Sequence, residues 1–201
     1  MALPGHRRGE GRLLDAQQRR ALRQQIRARR RAMTAHQRHM AASRLARHLR
    51  CHPRLAFAKR IGLYLPNDGE IDPRPGLAEG GRRRQRFLPV LDPITPGLLH
   101  FARWKANTPL VRNRYSIAEP SPARARIVPT WSLDVLIMPL VAFDDRGGRL
   151  GMGGGYYDRS LAAWHRWPRK PLLVGVAYGF QRVDSLPLAE WDIPLDVVIT
   201  D

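Results

Sequence analysis

Between Leu14 and Met33 arginine and glutamine are interspersed with apolar residues. Leu22, Ile26 and Met33 recur at separations of four and seven, which places them on one helical face. Thr34 is suited to cap a second helix, which the pattern carries to about Cys51 with Met40, Leu45 and Leu49 inward, until Pro53 stops it. Ile61-Gly-Leu-Tyr-Leu65 reads as a short buried strand ended by the turn Pro66-Asn-Asp-Gly69. Arg74 to Gly80 predicts a brief helix closed by Gly80-Gly81. Arg86 to Leu91 and Leu98 to Arg103 predict two strands joined by Asp92-Pro-Ile-Thr-Pro-Gly97. A loop region marked by Pro109, Pro120, Pro122 and Pro129 follows. The near-continuous apolar run Val135 to Phe143 then reads as a strand buried on both faces, with Pro139 marking a bend or an edge. Gly155 to Trp167 looks helical, and Leu172 to Ala177 and Asp196 to Thr200 supply further strands. No segment repeats with a period of about 20–50 residues. Strands alternating with helices predict a layered α/β domain with a largely parallel sheet.

Composition narrows the class. The chain has 201 residues, 43% hydrophobic and 26% charged, close to the globular average, so it can bury a real core. A disordered basic tail over residues 1–13 and a single α/β catalytic domain over residues 14–201 are expected. The apolar run Val135–Phe143 falls well short of the roughly 20 residues that span a bilayer. Cys51 stands alone, which excludes a disulfide framework, and it reads as an inert buried or half-buried thiol. Residues 1–11 lack the apolar centre of a secretory signal, and the first serine is Ser43, so a cytoplasmic protein is expected.

The net charge of +18 suggests a polyanion at first sight, but its distribution weakens that reading. Residues 1–60 hold 17 basic residues against two acids, Glu10 and Asp15, whereas residues 61–201 hold 18 against 15. The body of the molecule is nearly neutral. The excess is either a solvated arginine-rich helix face or a surface for an acidic ligand.

Chemistry concentrates in Phe143-Asp-Asp-Arg-Gly-Gly-Arg-Leu-Gly-Met-Gly-Gly-Gly-Tyr-Tyr-Asp158, which leaves a buried strand and enters a helix, where α/β sheets bind ligands. Gly151, Gly153, Gly154 and Gly155 allow successive backbone N–H groups to turn toward one point, and the following helix directs its positive end there. Arg149 adds a planar cation suited to phosphate or carboxylate. Tyr156 and Tyr157 offer aromatic faces. Asp158 could hold Mg²⁺ beside a nucleotide, or merely serve the first helical turn. A purely structural glycine turn is the plainer alternative. A dinucleotide fingerprint would need Gly where Tyr156 stands, and no P-loop, GxSxG or HExxH is present. His48 and His52 lie four apart, but Pro53 follows and no third ligand is near. Near the C-terminus, in Glu190-Trp-Asp-Ile-Pro-Leu-Asp196, either Asp192 or Asp196 could turn toward the glycine segment, or both could serve an ordinary Asp-x-Pro turn.

Arg149 to Arg159, behind Leu133-Asp-Val-Leu-Ile-Met-Pro-Leu-Val-Ala-Phe-Asp144, resembles the signature of the 5-formyltetrahydrofolate cyclo-ligase family, whose members are also called methenyltetrahydrofolate synthetases. The resemblance runs from about Arg19 to the C-terminus. Leu22 to Thr34 matches the family's N-terminal helix, Asp68-Gly-Glu-Ile-Asp72 its substrate segment, and Leu186 to Leu195 its closing motif. It implies a three-layer α/β/α fold with a mostly parallel central sheet, Rossmann-like and of the NagB/RpiA/CoA-transferase-like kind. It also implies an ATP- and Mg²⁺-dependent ligase that turns 5-formyltetrahydrofolate into 5,10-methenyltetrahydrofolate with release of ADP and phosphate. Carried over by position, Arg19, Arg20, Ala21, Leu22 and Arg23 would bind ATP together with Arg149, Leu150, Gly151, Met152, Gly153, Gly154, Gly155, Tyr156 and Tyr157. Leu65, Glu70 and Tyr115 would contact the folate with Met152 to Tyr156, and Asp158 and Asp192 would be the magnesium carboxylates. No side chain is assigned as acid or base. Many members carry Lys where Arg19 stands, and some a Lys where Gly154 stands.

The chemistry agrees with the residues. Phosphorylating a formyl oxygen makes it a leaving group, so the protein mainly positions two ligands and neutralises phosphate charge. The expected partners are 5-formyltetrahydrofolate and ATP, with no membrane and no specific nucleic acid, and a monomer is expected. An RNA-binding module on the basic helices is a second reading, but no RNP, KH or zinc-knuckle pattern supports it. A sugar-phosphate isomerase or acyl-CoA enzyme on the same fold would need a carboxylate base or nucleophile facing the glycine segment.

Overall fold

Two reciprocal caps set the N-terminal helices in the computed structural model, which describes residues 15–77, 84–122, 125–186 and 192–201. Asp15 accepts from the Gln18 N–H at 2.7 Å while Gln18 accepts from the Asp15 N–H at 2.9 Å, opening α1 (Ala16–Ala32). Thr34 and Gln37 repeat the arrangement at 3.2 and 2.8 Å to open α2 (Ala35–Cys51). Each such cap stabilises its helix by about 1 kcal/mol. Pro53 ends α2, as expected, but also opens the short α3 (Pro53–Ala56), where a missing N–H costs nothing. The expected tail over residues 1–13, the later part of Arg74–Gly80 with Gly81, and residues 187–191 of the closing motif lie outside the described residues. Arg74–Gly76 forms a single 3₁₀ turn.

The face of α2 differs from its expectation. Ala41, Ala42, Leu45, Ala46 and Leu49 are buried, whereas Met40 and Cys51 are exposed. Cys51 follows Leu49 by two residues, about 200° round the helix, so it cannot share Leu49's buried face.

The main sheet contains β1 (Arg60–Gly62), β2 (Gln85–Leu91) and β3 (Leu99–Trp104). The proline-marked stretch expected as loop carries three short strands, β4 (Leu110–Arg112), β5 (Ala118–Pro120) and β6 (Ile127–Val128). Pairing with strands distant in sequence or across a tight turn decides such elements, and local composition does not reveal it. The expected strand Val135–Phe143 is divided: β7 (Val135–Pro139) lies in the main sheet, while β8 (Ala142–Phe143) pairs antiparallel with β9 (Arg149–Leu150). Pro139 sits at the end of the ladder, where its missing N–H is tolerated and the chain departs. The expected helix Gly155–Trp167 is likewise two pieces, α4 (Tyr156–Leu161) and a 3₁₀ turn over Trp164–Arg166. Half-buried Trp164 and Trp167 contact each other there at 5.5 Å. β10 (Leu172–Ala177) and β11 (Val197–Thr200) complete the sheet.

Strand order is β11-β10-β7-β1-β2-β3-β6, parallel from β11 to β2 and antiparallel on either side of β3. Alternation along the strands divides the core in two. Val135, Ile137, Val174 and Val176 pack with Ala41, Leu45 and Leu49 of α2. Leu136, Met138, Leu173 and Ala177 pack with Leu161 of α4 and with Ile193 and Leu195. Side chains on a strand point alternately to opposite faces, so the sheet is covered on both sides in three layers. Among the described residues no helix is long and apolar enough to cross a membrane.

Candidate active site

The β8–β9 hairpin is held by a buried carboxylate. Asp144 accepts from the backbone N–H groups of Arg146 at 3.0 Å, Gly148 at 2.8 Å and Leu186 at 2.7 Å. Gly147, at φ +84°, closes the turn, and a Cβ there would lie 2.8 Å from the Leu195 carbonyl oxygen. The Leu195 N–H donates to the Gly147 oxygen at 3.1 Å, so the hairpin and the C-terminal segment share one joint. This joint delivers Arg149 and the glycine segment after it to the end of β7.

Arg149 is only 7% exposed and donates to two groups far apart in sequence, the Asp158 carboxylate on α4 and the Ile193 carbonyl beside Asp192. Asp158 remains 38% exposed. Asp196, the alternative to Asp192, is committed to the sheet. It accepts from the Leu173 N–H at 2.7 Å and donates its own N–H to the Leu173 oxygen at 3.0 Å. Among the described residues no three His, Cys, Asp or Glu side chains cluster in a way that could hold a metal.

From Gly151 to Gly154 the chain is exposed. Beside Gly151 nothing lies within 4 Å of where a Cβ would stand, so packing does not explain a glycine there. Gly155, at φ +62°, caps α4, and Arg159 folds back to donate to the Gly154 oxygen and, at 3.2 Å, to that of Gly97. The first helix supplies the opposite wall: Arg23 donates through Nε to the Gly151 oxygen at 2.8 Å. Partial burial, and then the neighbouring Arg19 charge, hold the Arg23 guanidinium below its ordinary value. Two like charges beside backbone groups of a glycine segment make a place for an anion. Leu22 anchors this turn of α1 against Ala142, Leu150 and Leu186, whereas Arg20 and Ala21 are exposed on it. The helix behind the segment has only six residues, so its dipole contributes less than a helix to Trp167 would.

The segment after β1 closes the other side. Leu65 packs half-buried against the core after β1. Asp68 (φ +49°) and Gly69 (φ +73°) form a tight turn in which Asn67 N–H donates to Glu70 at 3.1 Å. Burial pushes the Glu70 carboxyl up to about 7, against the Asn67 N–H and the Arg30 charge. The same carboxyl faces Tyr64 and Tyr157, both of which burial raises far above the ordinary phenol value. On the outer side Tyr115, from the β4–β5 hairpin, meets Tyr156 hydroxyl to hydroxyl at 2.7 Å with edge-to-face rings 5.8 Å apart, and Arg114 donates to the Tyr156 oxygen.

The Glu70 environment has a measurable consequence. Between pH 4.5 and about 7 the folded protein retains a proton that the unfolded chain has released, so this group removes stability as pH rises through that window. Glu70→Gln is expected to be more stable than wild type at pH 8 and equal to it near pH 4. Urea unfolding at both pH values reads this, and equal stability at pH 8 would contradict the placement.

Sequence reading missed Arg30 and gave Asp68, although it opens the segment matched to the family, no role of its own; both lie at the centre of the site, with Arg114, Arg159 and Asp144, also unassigned, around it. A signal existed for the first two. Arg27, Arg30 and Arg31 share one helical face, and Asp68 is the first acid after Asp15.

Comparison with known proteins places these residues in a family. A family model for the 5-formyltetrahydrofolate cyclo-ligase family matches residues 15–201. The 5-formyltetrahydrofolate cyclo-ligase of Escherichia coli K12 is 43% identical over 176 residues, covering 87% of this chain and 96% of the relative. That of Haemophilus influenzae is 39% identical over 188 residues, covering 92% and 100%. The solution structure of Aquifex aeolicus 5,10-methenyltetrahydrofolate synthetase superposes with a TM-score of 0.74 at 31% identity, covering 90% of this chain and 88% of that one. The hairpin, the glycine segment and the Asp68–Glu70 turn described above all fall within the matched residues, and the chain belongs to the 5-formyltetrahydrofolate cyclo-ligase family.

Proposed function

We propose that this protein converts 5-formyltetrahydrofolate and ATP into 5,10-methenyltetrahydrofolate, ADP and phosphate. The observation that carries the reading is the meeting of the glycine segment and the Asp68–Glu70 turn at one guanidinium. Arg30 lies 3.8 Å from the Met152 sulfur and 4.0 Å from Glu70, so a group held by one segment is adjacent to a group held by the other.

Backbone N–H groups of residues 151–155, with Arg19, Arg23 and Arg149, bind the phosphates and spread their charge. Glu70, Tyr115 and Tyr156 hold the pterin, with Leu65 at its edge. The formyl oxygen attacks the γ-phosphorus and ADP leaves with the bond electrons. N10 then attacks the activated carbon, the C–O bond breaks, phosphate departs with the former formyl oxygen, and the N10 proton passes to phosphate or solvent. Positioning and charge neutralisation supply most of the rate. The exposed carboxylate of Asp158 beside the glycine segment is a hard oxygen donor that suits magnesium, which needs about one or two protein carboxylates besides phosphate and water. Asp158 and Asp192 would hold the ion, which would neutralise phosphate charge.

Purified protein given both substrates with Mg²⁺ is expected to produce the near-ultraviolet absorbance of the methenyl product, and folded protein without that signal would overturn the reading. In the same assay Asp158→Asn is expected to raise the magnesium concentration for half-maximal rate about tenfold or more. An unchanged titration removes Asp158 from the metal.

A further inference from the structure

Arg30 is 0% exposed, a charge taken out of water at a desolvation cost that its partners must offset. Its Nη2 donates to Asp68 at 2.9 Å and its Nη1 to the Leu140 carbonyl oxygen at 3.3 Å. The guanidinium also contacts Met152 at 3.8 Å and lies 4.0 Å from Glu70, while its buried Nε has no hydrogen-bond partner. It therefore touches the substrate turn, the end of the β7 segment and the glycine segment at once. Asp68 is drawn onto the same helix by Arg27 at 2.6 Å and Arg31 at 3.4 Å. Burial alone would raise the Asp68 carboxyl, but Arg27 and then Arg30 outweigh it and hold it below the ordinary range. A Cβ on Gly69 would lie 3.0 Å from the Arg30 carbonyl oxygen, so turn and helix are in backbone contact as well.

We propose that the Arg30–Asp68 pair is a positioning device that holds the Asp68–Glu70 turn and the Met152 segment in one geometry, keeping the folate contacts aligned with the nucleotide contacts. This rests on the reading of Glu70 as a folate contact and of residues 151–155 as the nucleotide segment. A planar guanidinium bonded to several elements fixes their relative placement, which an apolar side chain filling the same volume would not do.

The test uses the charges around Glu70. Those facing it are Arg30 and Arg27 from α1, Asp68 beside it in the turn, and the neutral phenols of Tyr64 and Tyr157. Removing the cation in Arg30→Met is expected to move the Glu70 titration midpoint up, and removing the anion in Asp68→Asn to move it down. Carbon-13 NMR of the full chain reads both midpoints without substrate, with the Glu70 signal identified by its loss in Glu70→Gln. No displacement, or one in the same direction in both variants through general loosening, would show that the pair does not face Glu70 in the folded protein, and either result overturns the proposal. In steady-state turnover Arg30→Met is expected to lower kcat about tenfold or more, because misaligned bound substrates lose rate, while KM for 5-formyltetrahydrofolate changes less. Midpoints that separate with kcat unchanged also overturn it. Arg30→Met strands no charge, because Arg27 and Arg31 still neutralise Asp68, and it decides should Asp68→Asn, which leaves the buried Arg30 guanidinium without its carboxylate, fail to fold. Absence of methenyl product from wild type would overturn the reaction assignment instead, and the NMR midpoints would still judge the pair.

Discussion

Arg149→Met is expected to lower kcat/KM for ATP by about 10²- to 10³-fold in the methenyl assay, the size seen when one preorganised donor is removed from a charge-stabilising site. A guanidinium carries five N–H donors, and in the free protein Arg149 uses them on Asp158 and on the Ile193 carbonyl. It thus ties α4 to the segment before β11, and the phosphate role proposed for it falls to its remaining donors. The substitution costs stability too, because the Ile193 oxygen loses its donor, an effect of about 1–3 kcal/mol. Arg149→Lys separates the two effects. It keeps one positive charge but not the planar fork, so it is expected to recover nucleotide binding in part and catalysis less. Calorimetric titration with ATP and thermal unfolding, measured beside turnover, distinguish the roles. Arg149→Met retaining kcat/KM within threefold would remove this residue from the phosphate site.

A pair of alanine substitutions four residues apart should give opposite phenotypes. Gly147→Ala is expected to lower stability by about 2 kcal/mol or more with little direct effect on nucleotide affinity, since the residue sits at φ +84° and its new methyl would press on the Leu195 backbone oxygen. Gly151→Ala meets no protein atom within 4 Å, so its melting temperature should match wild type, yet ATP affinity should fall about tenfold or more. One glycine is required by the fold, and the other is expected to be required by what approaches the fold. Wild-type ATP affinity in Gly151→Ala would show that the open space beside Gly151 is not where phosphate lies.

The contrast also marks what can be read from a chain. The Thr34 cap, the inward Leu45 and Leu49 and the strand Leu172–Ala177 follow from short-range rules, because capping and the two periodicities depend on residues within a turn of one another. The alternation of strands with helices gives the mostly parallel sheet. The glycine segment announces itself because four glycines in five positions are unusual at a strand-to-helix junction. The division of Val135–Phe143 between two sheets was legible only as an awkward proline. The strands β4 to β6 left no signal, since each exists through a partner elsewhere.

The charge excess of residues 1–60 teaches the same lesson more sharply. Composition places 17 basic residues there and leaves open whether they are solvated or bound. The fold divides them: Arg27, Arg30 and Arg31 neutralise an internal carboxylate, Arg23 faces the glycine segment, and Arg44 pairs with Asp201 at 2.6 Å. The chain alone determines the two N-terminal helices, the strand periods and the family motif, all carried by neighbours in sequence. Tertiary structure alone decides which arginine meets which anion, because electrostatic pairing depends on distance in space. Residues 30, 68 and 152 become neighbours only because β1 and β7 lie side by side in the sheet and α1 packs against β8.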